Sequence, residues 1–379
     1  MLLIQAARAA AQVEYPQTTF QPVTEYGVLL NWLFMNTFWW TMSILVLVVG
    51  LTLAIAIRFR ERPGDARPKA IHGHTGLELA WTILPALIVI AITIPTVKVV
   101  LQTQQKPPAD ALTIDVIGHQ WWWEFRYPEY GVVTANQLWV PTGRPIHLSM
   151  HSADVIHSFW IPRFGGKRDV NPVPRSREGE RDKRNHLQFT VKDTGSFMGQ
   201  CAEFCGDSHA LMMVSAMAVT PEYFKQWAAK MKPAMAQAVP VDPNATSVVQ
   251  ASNPINLAMP APTGIGSPVR AEIPDSVWAA EGKKIFLGAQ CIACHTIAGT
   301  SAAGVLGPSL TNFGLRPTVG AGVASSSLEN VERWIHHPRS MKPGALMPGT
   351  MKGIDGGAAP TGLSDAQVHA VARYLKSLK

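Results

Sequence analysis

Two long uncharged stretches constrain this chain more than any other feature. Residues 28–57 and 79–97 contain no charged side chain and are rich in Leu, Val, Ile and aromatic residues. A helix that crosses a bilayer needs about 20 apolar residues, so both stretches are long enough. Two buried core helices are the alternative, but Pro85 and Pro95 would break a soluble helix and are tolerated in a membrane span. The pattern therefore predicts a transmembrane hairpin.

The loop between the two spans predicts the orientation of the hairpin. It carries five basic and two acidic residues: Arg58, Arg60, Arg62, Arg67, Lys69, Glu61 and Asp65. Positively charged loops remain on the cytoplasmic side, so we expect everything after about Gln102 on the outer side. The opening segment MLLIQAARAAAQ is compatible with the tail of a signal peptide whose small-residue cleavage site is 9–11.

The outer part begins with a strand-like pattern. Apolar and polar residues alternate over 112–116, 146–150 and 187–191, and turn clusters such as VPTGRP separate these runs. This pattern predicts a small antiparallel sandwich or barrel. A short helix is expected after it, with Thr220 as the cap and Pro221 at its first position.

The composition changes after the predicted barrel. Residues 234–270 are rich in Pro, Ala, Ser and Asn, which is typical of a flexible linker with an end-to-end span of roughly 30 Å. The last unit, from about Ala271, is predicted to be helical. Its final helix should begin at Ser364, with Gln367 completing a capping box.

The segment Cys291-Ile-Ala-Cys294-His295 is a strong haem signal. Two thiols at this spacing can add to the vinyl groups of one haem, and the adjacent imidazole can bind the iron. A redox disulfide would not need the histidine, and a zinc site would need a second pair of ligands nearby. The motif therefore predicts a covalently bound haem c.

The opposite face of the iron needs a further ligand. The candidates after the motif are Met341, Met347, Met351, His336 and His337. Met347 is favoured because it lies in GALMPG, where proline and glycines let the chain pass close to a flat ring. A thioether ligand raises the potential of a haem, as suits an electron carrier.

A second cluster of soft ligands lies in the loop GQCAEFCGDSHALMM. Cys201 and Cys205 can bridge two copper ions, and each copper then needs one imidazole and one weak ligand. The loop supplies His209 and Met212. A second imidazole must come from elsewhere, and His157 in DVIHSFWIP is the candidate. The backbone carbonyl of Glu203 can be the second weak ligand. A disulfide beside a chance histidine is the alternative.

Several of these motifs are shared with one family. They are the loop CAEFCGDSHALM, the earlier DVIHSFWIP, the aromatic GHQWWWEF and the membrane segment WTILP. Together they resemble subunit II of cytochrome c oxidase. With its appended haem unit, the chain resembles subunit II of the caa(3)-type oxidases over its whole length, apart from the opening residues and the linker.

The haem unit by itself resembles a class I cytochrome c. The resemblance includes Gly282 and Phe286, which in that family cross Tyr374 of the closing helix. It also covers GPSL, where the carbonyl of Pro308 would orient His295.

The resemblance implies a multidomain membrane protein. It has an N-terminal two-helix transmembrane hairpin, an all-β cupredoxin-like Greek-key barrel and an all-α class I cytochrome c domain. The expected division is an N-terminal segment (1–27), the hairpin (28–102), the copper A domain (103–233), the linker (234–270) and the cytochrome c domain (271–379).

The resemblance also implies a function, as a subunit of a haem-copper terminal oxidase in a bacterial plasma membrane. Electrons would pass from cytochrome c or a quinol–cytochrome c reductase to haem c and then to binuclear copper A. From there they would reach the oxygen-reducing site of subunit I, coupled to proton translocation. This chain itself would carry electron transfer only. Subunit III and membrane lipid are further expected partners.

Three residues take a role only from the resemblance. The Glu203 carboxylate would reach a magnesium ion at the interface with subunit I, and Glu78 would stand at the mouth of a proton pathway. Trp121 would be the exposed aromatic through which electrons reach copper A, with Trp123 on the same face of a strand and Trp122 on the other. Without the resemblance, Glu78 is a charge that flanks a helix, and Trp121 a membrane-belt or core residue.

Other functions remain as alternatives. Copper A also occurs in nitrous oxide and nitric oxide reductases; the hairpin argues against the first, and the second stays open. A copper-delivery or assembly protein would have no use for a covalent haem, and a quinol oxidase subunit would lack the copper ligands. The formal net charge is +7, but no dense Lys/Arg run interleaved with aromatics is present, so nucleic-acid binding is not expected.

Overall fold

The computed structural model describes residues 14–15, 17–64, 73–173, 183–235, 274–350 and 360–379. Several sequence-based expectations lie outside the described residues. They are the signal-peptide tail, most of the linker, three loop charges (Asp65, Arg67 and Lys69) and one candidate iron ligand, Met351.

The two predicted spans are helices, α1 (Glu25–Arg58) and α2 (Thr75–Thr103). Each extends beyond its uncharged stretch, and α2 continues through Pro85 and Pro95. Both are long and apolar enough to cross a membrane, and most of their large apolar side chains are exposed. Such a surface is unfavourable in water, so it fits a lipid environment.

The middle domain is built from strands. In chain order they are β1 (Glu14–Tyr15), β2 (Leu112–His119), β3 (Trp122–Tyr127), β4 (Val132–Ala135), β5 (Gln137–Pro141), β6 (Ile146–Ser152), β7 (His157–Trp160), β8 (Arg168–Val170), β9 (Asn185–Phe189), β10 (Gly195–Cys201) and β11 (Met213–Val219). The three predicted runs correspond to β2, β6 and β9.

These strands form two sheets. One has the order β5-β11-β10-β7-β8 with β1 beside β10, and the other has the order β4-β3-β2-β6-β9. The prediction of a purely antiparallel domain was wrong, because β2 pairs with β6, and β5 with β11, in parallel. Alternation along a strand shows which face a side chain takes, but it carries no information on the direction of the neighbouring strand.

The core of the middle domain is aromatic. Trp123, Phe125 and Phe159 are fully buried, and the Trp123 and Phe159 ring centroids lie 5.3 Å apart. Helix α3 (Pro221–Met235) closes the domain, and the Thr220 hydroxyl accepts from the amide of Tyr223 at 3.3 Å, as the predicted cap requires.

The C-terminal domain is mainly helical. Its helices are α4 (Asp275–Gly288), α5 (Cys291–Cys294), α6 (Leu328–His336), α7 (Pro338–Met341) and α8 (Asp365–Ser377), beside a small hairpin of β12 (Thr318–Val319) and β13 (Ala324–Ser325). The predicted capping box of α8 is confirmed, since Ser364 and Gln367 exchange both hydrogen bonds.

Helices α4 and α8 cross closely at a glycine. A Cβ on Gly282 would lie 1.9 Å from the carbonyl oxygen of Ala370, so only glycine fits there. One turn along, the Phe286 and Tyr374 rings meet edge to face, with centroids 5.9 Å apart. The crossing expected from the cytochrome c resemblance is therefore confirmed.

The C-terminal domain lies against the middle domain. The amide of Met213 donates to the carbonyl of Ala321 at 3.2 Å, and the Asn312 side chain donates to the Met231 sulfur at 3.0 Å. These contacts place the C-terminal domain beside both β11 and α3.

Candidate metal centres

Two thiols face each other at one end of the middle domain. Cys201 ends β10, and the following loop folds back so that the Sγ atoms of Cys201 and Cys205 lie 3.8 Å apart. Both cysteines are free and buried. Gly206 permits the turn that follows, with a φ of +111° that other residues rarely adopt. We call residues 201–212 the thiol loop.

Four further donors surround the two sulfurs. The Cys201 Sγ lies 3.9 Å from the Nδ1 of His157 and 3.2 Å from the carbonyl oxygen of Glu203. The Cys205 Sγ lies 3.7 Å from the Nδ1 of His209 and 3.9 Å from the Sδ of Met212. The structure thus brings together all the predicted copper ligands, and His157, Cys201 and Cys205 can share one ion.

The two thiols perturb each other's protonation. The hydrogen bond from the Cys205 thiol lowers the pKa of Cys201, and the resulting thiolate raises the pKa of Cys205. The pair therefore releases its first proton easily and holds its second tightly. A bound metal cation would supply the positive charge that removes the second proton.

His157 is held by a residue that the sequence did not single out. Its Nε2 lies 2.8 Å from the Asp154 Oδ1, which leaves Nδ1 facing Cys201. Burial alone would lower the pKa of His157, but the hydrogen bond to Asp154 raises it. Metal-bound histidines commonly donate their other nitrogen to a carboxylate in this way. The spacing in DVIH was the only sequence signal for this partner.

The donor set fits two copper ions. Two thiolates, two imidazoles, a thioether and a carbonyl oxygen are the soft and borderline ligands that copper prefers. The loop also shields them, since both cysteines and Met212 are buried.

A second candidate centre lies in the C-terminal domain. His295 follows α5, and its Nδ1 lies 2.8 Å from the carbonyl oxygen of Pro308, so Nδ1 donates and Nε2 is available to iron. The predicted role of Pro308 is confirmed. Burial lowers the pKa of His295, which favours the neutral imidazole that a metal needs. Cys291 and Cys294 are free, and burial raises the pKa of Cys291 to about 11.

The candidates for the other iron ligand differ in their surroundings. Met347 is half-buried and packs against the core of the C-terminal domain, whereas Met341 is buried within that core. Both ring nitrogens of His336 already have partners, because Nδ1 lies 3.0 Å from the Thr350 hydroxyl and Nε2 lies 3.7 Å from an Asp365 carboxylate oxygen, and this argues against His336 as a ligand. Met347 therefore stays the preferred prediction.

Trp121 differs from its expected position. It lies in the turn before β3 rather than in a strand, and it is only 8% exposed. The expectation of an exposed indole was wrong, because the C-terminal domain covers the ring: a Cβ on Gly344 would lie 2.6 Å from it. The Trp121 Nε1 donates to the carbonyl of Cys205 at 2.9 Å, so the ring contacts the thiol loop directly. Trp122 is half-buried and stacks on His119, and Trp123 is fully buried.

The two remaining carboxylates have simpler surroundings. Glu78 lies in the first turn of α2, and its Oε1 accepts from the amide of His74 at 3.2 Å, which helps to cap the helix. Glu203 is exposed on the thiol loop.

Comparison with known proteins agrees with this arrangement. Three family models match in order: Cytochrome C oxidase subunit II, transmembrane domain over 17–99; Cytochrome C oxidase subunit II, periplasmic domain over 131–219; and Cytochrome c over 279–379. Cytochrome c oxidase subunit 2 of Bacillus subtilis is 32% identical over 344 residues, covering 86% of this chain and 81% of that protein. The chain belongs to the cytochrome c oxidase subunit II family.

Cytochrome c oxidase subunit 2 of Alkalihalophilus pseudofirmus is 30% identical over 88% of this chain and 82% of that protein. A solved structure, the periplasmic domain of subunit II of cytochrome oxidase of Bradyrhizobium japonicum, is 32% identical. It covers 34% of this chain and 98% of that one, with a TM-score of 0.30. Membership of the family makes this a membrane protein of a haem-copper oxidase. It has a cupredoxin-like domain, with the His/Cys/Cys group expected for copper A, and a cytochrome c domain, which implies haem.

Proposed function

We propose that the chain is the electron-accepting subunit of a proton-translocating cytochrome c oxidase. It takes electrons at a covalent haem c and delivers them through a binuclear copper A centre to the oxygen-reducing site of subunit I. One observation carries the proposal: two buried thiols 3.8 Å apart, each with its own imidazole and its own weak donor.

In this proposal each donor has a distinct part. Cys201 and Cys205 would hold the copper ions through their sulfur atoms, and the imidazoles of His157 and His209 would complete the strong ligands. The Met212 sulfur and the Glu203 carbonyl are the weak ligands. Copper in this setting would supply one-electron transfer, and burial of Cys201, Cys205 and Met212 would keep the ligands in place so that little rearranges with the change of charge.

The haem site is assigned in the same way. Cys291 and Cys294 would attach the haem through their sulfur atoms, and His295 and Met347 would bind its iron. The Pro308 carbonyl fixes the His295 ring through the 2.8 Å hydrogen bond. Trp121 contacts both domains that would carry these centres, through the Cys205 carbonyl on one side and Gly344 of the cytochrome c domain on the other.

The remaining assignments concern the surroundings of the chain. The basic loop after α1 favours the cytoplasm, which places both metal-binding domains on the periplasmic side. Glu78 then stands at the cytoplasmic end of α2, where a carboxylate can collect protons for transfer. The exposed Glu203 carboxylate is available to a magnesium ion at the interface with subunit I. Subunit III is a further partner, and cytochrome c or a quinol–cytochrome c reductase is the donor.

The copper assignment is tested by electron paramagnetic resonance of the purified complex. Cys205→Ser should abolish the mixed-valence copper signal and leave the haem c spectrum intact. Met212→Leu should alter the copper signal, because Met212 faces the Cys205 sulfur. The adjacent Met213 does not face a thiol sulfur, so Met213→Leu is the matched control and should keep the signal. A mixed-valence signal that survives in Cys205→Ser would contradict the proposal.

A further inference from the structure

A buried lysine lies where the two outer domains meet. Lys342 follows α7 and is only 3% exposed. Its Nζ donates to the carbonyl of Trp121 at 2.6 Å, to that of Leu211 at 2.9 Å and to that of Gly320 at 2.9 Å. Each ammonium hydrogen therefore has an acceptor. Two of the three acceptors belong to the cupredoxin-like domain, so two of the hydrogen bonds cross the boundary between domains.

These three hydrogen bonds favour one position of the cytochrome c domain on the cupredoxin-like domain. Burial lowers the pKa of Lys342, because an ammonium group loses its hydration on leaving water, and the three carbonyl acceptors oppose this effect by stabilising the charged form. Burying a charge is unfavourable unless every hydrogen bond is satisfied. The carbonyls of Trp121 and Leu211 meet this need only if the cytochrome c domain sits in the position observed. A shifted position that kept the ammonium buried would leave it without these acceptors and would be disfavoured.

The residues after Lys342 continue the contact. The Ser208 hydroxyl of the thiol loop donates to the Pro343 carbonyl. Gly344 has a φ of +75° and lies against the Trp121 ring, where a Cβ would come within 2.6 Å of the indole and 3.0 Å of the Asp207 side chain. The same short segment of the cytochrome c domain thus covers both the thiol loop and the indole.

We propose that Lys342 is the positioning residue that seats the cytochrome c domain on the thiol loop, with Trp121 enclosed between them. This inference rests on the proposed function and adds to it the docked position and the residue that determines it. A soluble donor must deliver its electron to the cytochrome c domain, because the indole is covered in the docked state.

Docking is tested without any reference to electron transfer. In the purified complex, Lys342→Met removes both hydrogen bonds to the cupredoxin-like domain. Hydrogen bonds to a charged group are strong, so amide exchange at Trp121 and over 207–213, where the two domains touch, should become about ten- to a hundredfold faster. The amide of Met213 is the best reporter, since its acceptor is across the boundary. Lys283→Met, at an exposed position of the same domain, should leave exchange unchanged.

The positioning role is tested by flash-induced electron transfer. Lys342→Met should slow transfer from haem c to copper A by about tenfold or more, because two charged hydrogen bonds no longer hold the docked state. Reduction of haem c by soluble cytochrome c, the haem spectrum and the haem potential should stay unchanged. A purely structural lysine would instead disturb the haem spectrum or potential. Wild-type exchange together with a wild-type transfer rate in Lys342→Met would overturn the inference.

A third measurement needs no variant of Lys342. Reductive methylation of the native complex, followed by mass spectrometry, should label Lys283 readily and Lys342 hardly at all. Equal labelling of the two would overturn the inference even if Lys342→Met did not fold. Failure of the proposed function can be told apart from failure of this inference. A wild-type complex without the mixed-valence copper signal would refute the copper A assignment, whereas amide exchange and lysine labelling would still show whether the two domains dock through Lys342.

Discussion

The carboxylate beside His157 should control how tightly the thiol loop holds copper. Asp154 accepts from His157 and Val155 through Oδ1, at 2.8 and 2.7 Å, and from the amide of Gln120 through Oδ2 at 2.7 Å. In Asp154→Asn the amide can face only one way. If its oxygen serves His157, its NH₂ group opposes the Gln120 amide, a donor facing a donor. The substitution therefore costs at least one of these hydrogen bonds.

The size of the effect follows from the exposure of this carboxylate. Loss of a residue that orients a metal ligand typically costs 10- to 100-fold in metal affinity, or about 1.4 to 2.7 kcal/mol. The Asp154 side chain is 31% exposed, so solvent screens part of its charge, and water can take over part of its hydrogen bonding when the carboxylate is replaced. We therefore expect the lower end of the range, about a tenfold loss in copper affinity for Asp154→Asn, and more for Asp154→Ala.

Competition for Cu(I) with a chelator of known affinity measures this change in the full-length chain. Asp193→Asn is the matched control, because Asp193 is an exposed carboxylate of the same domain. Its copper affinity should equal that of the wild type. If Asp154→Ala binds copper as tightly as Asp193→Asn and gives the same copper spectrum, the hydrogen bond from His157 has no part in forming the site, and the reasoning fails.

Three other predictions concern the haem, the acid stability and the proton pathway. Met347→Ala should abolish the sulfur-to-iron charge-transfer band and lower the haem potential, whereas Met341→Ala should keep the band; the reverse result would make Met341 the ligand. Burial would raise the pKa of Glu124, but hydrogen bonds and charges from a neighbouring histidine and arginine lower it from 4.5 to about 2. Between these values the unfolded state binds more protons, so wild-type stability should fall as the pH falls, by up to about 1.4 kcal/mol per pH unit. Denaturant unfolding at a series of pH values should show a shallower fall for Glu124→Gln, and equal slopes would contradict this. Glu78→Gln should slow oxygen consumption with unchanged copper and haem spectra, whereas wild-type turnover would leave Glu78 with its helix cap alone.

Local sequence patterns were sufficient for the parts of this protein whose chemistry is local. The membrane helices follow from uncharged composition, because a bilayer admits only long apolar segments. The haem motif and the pair Cys201 and Cys205 follow from spacing, because ligands within one turn or one loop must lie close together. His209 and Met212 belong to the same loop, and the Ser364 capping box was predicted for the same reason.

The tertiary structure decided whatever depends on distant segments. His157 was a candidate from its motif, but pairing of β7 with β10 brings it to Cys201. Asp154 acquires its role only through that placement. The parallel pairing of β2 with β6 left no trace in the alternation of either strand.

The docking of the two outer domains was the least visible from sequence. Lys342 is separated from Trp121 by 221 positions, and nothing in its neighbours distinguishes it from a surface lysine. The burial of Trp121, predicted as exposed, has the same origin. Local patterns report on a residue's own helix, strand or loop. Which carbonyls surround an ammonium group depends on how separately folded domains meet, and only the three-dimensional structure contains that information.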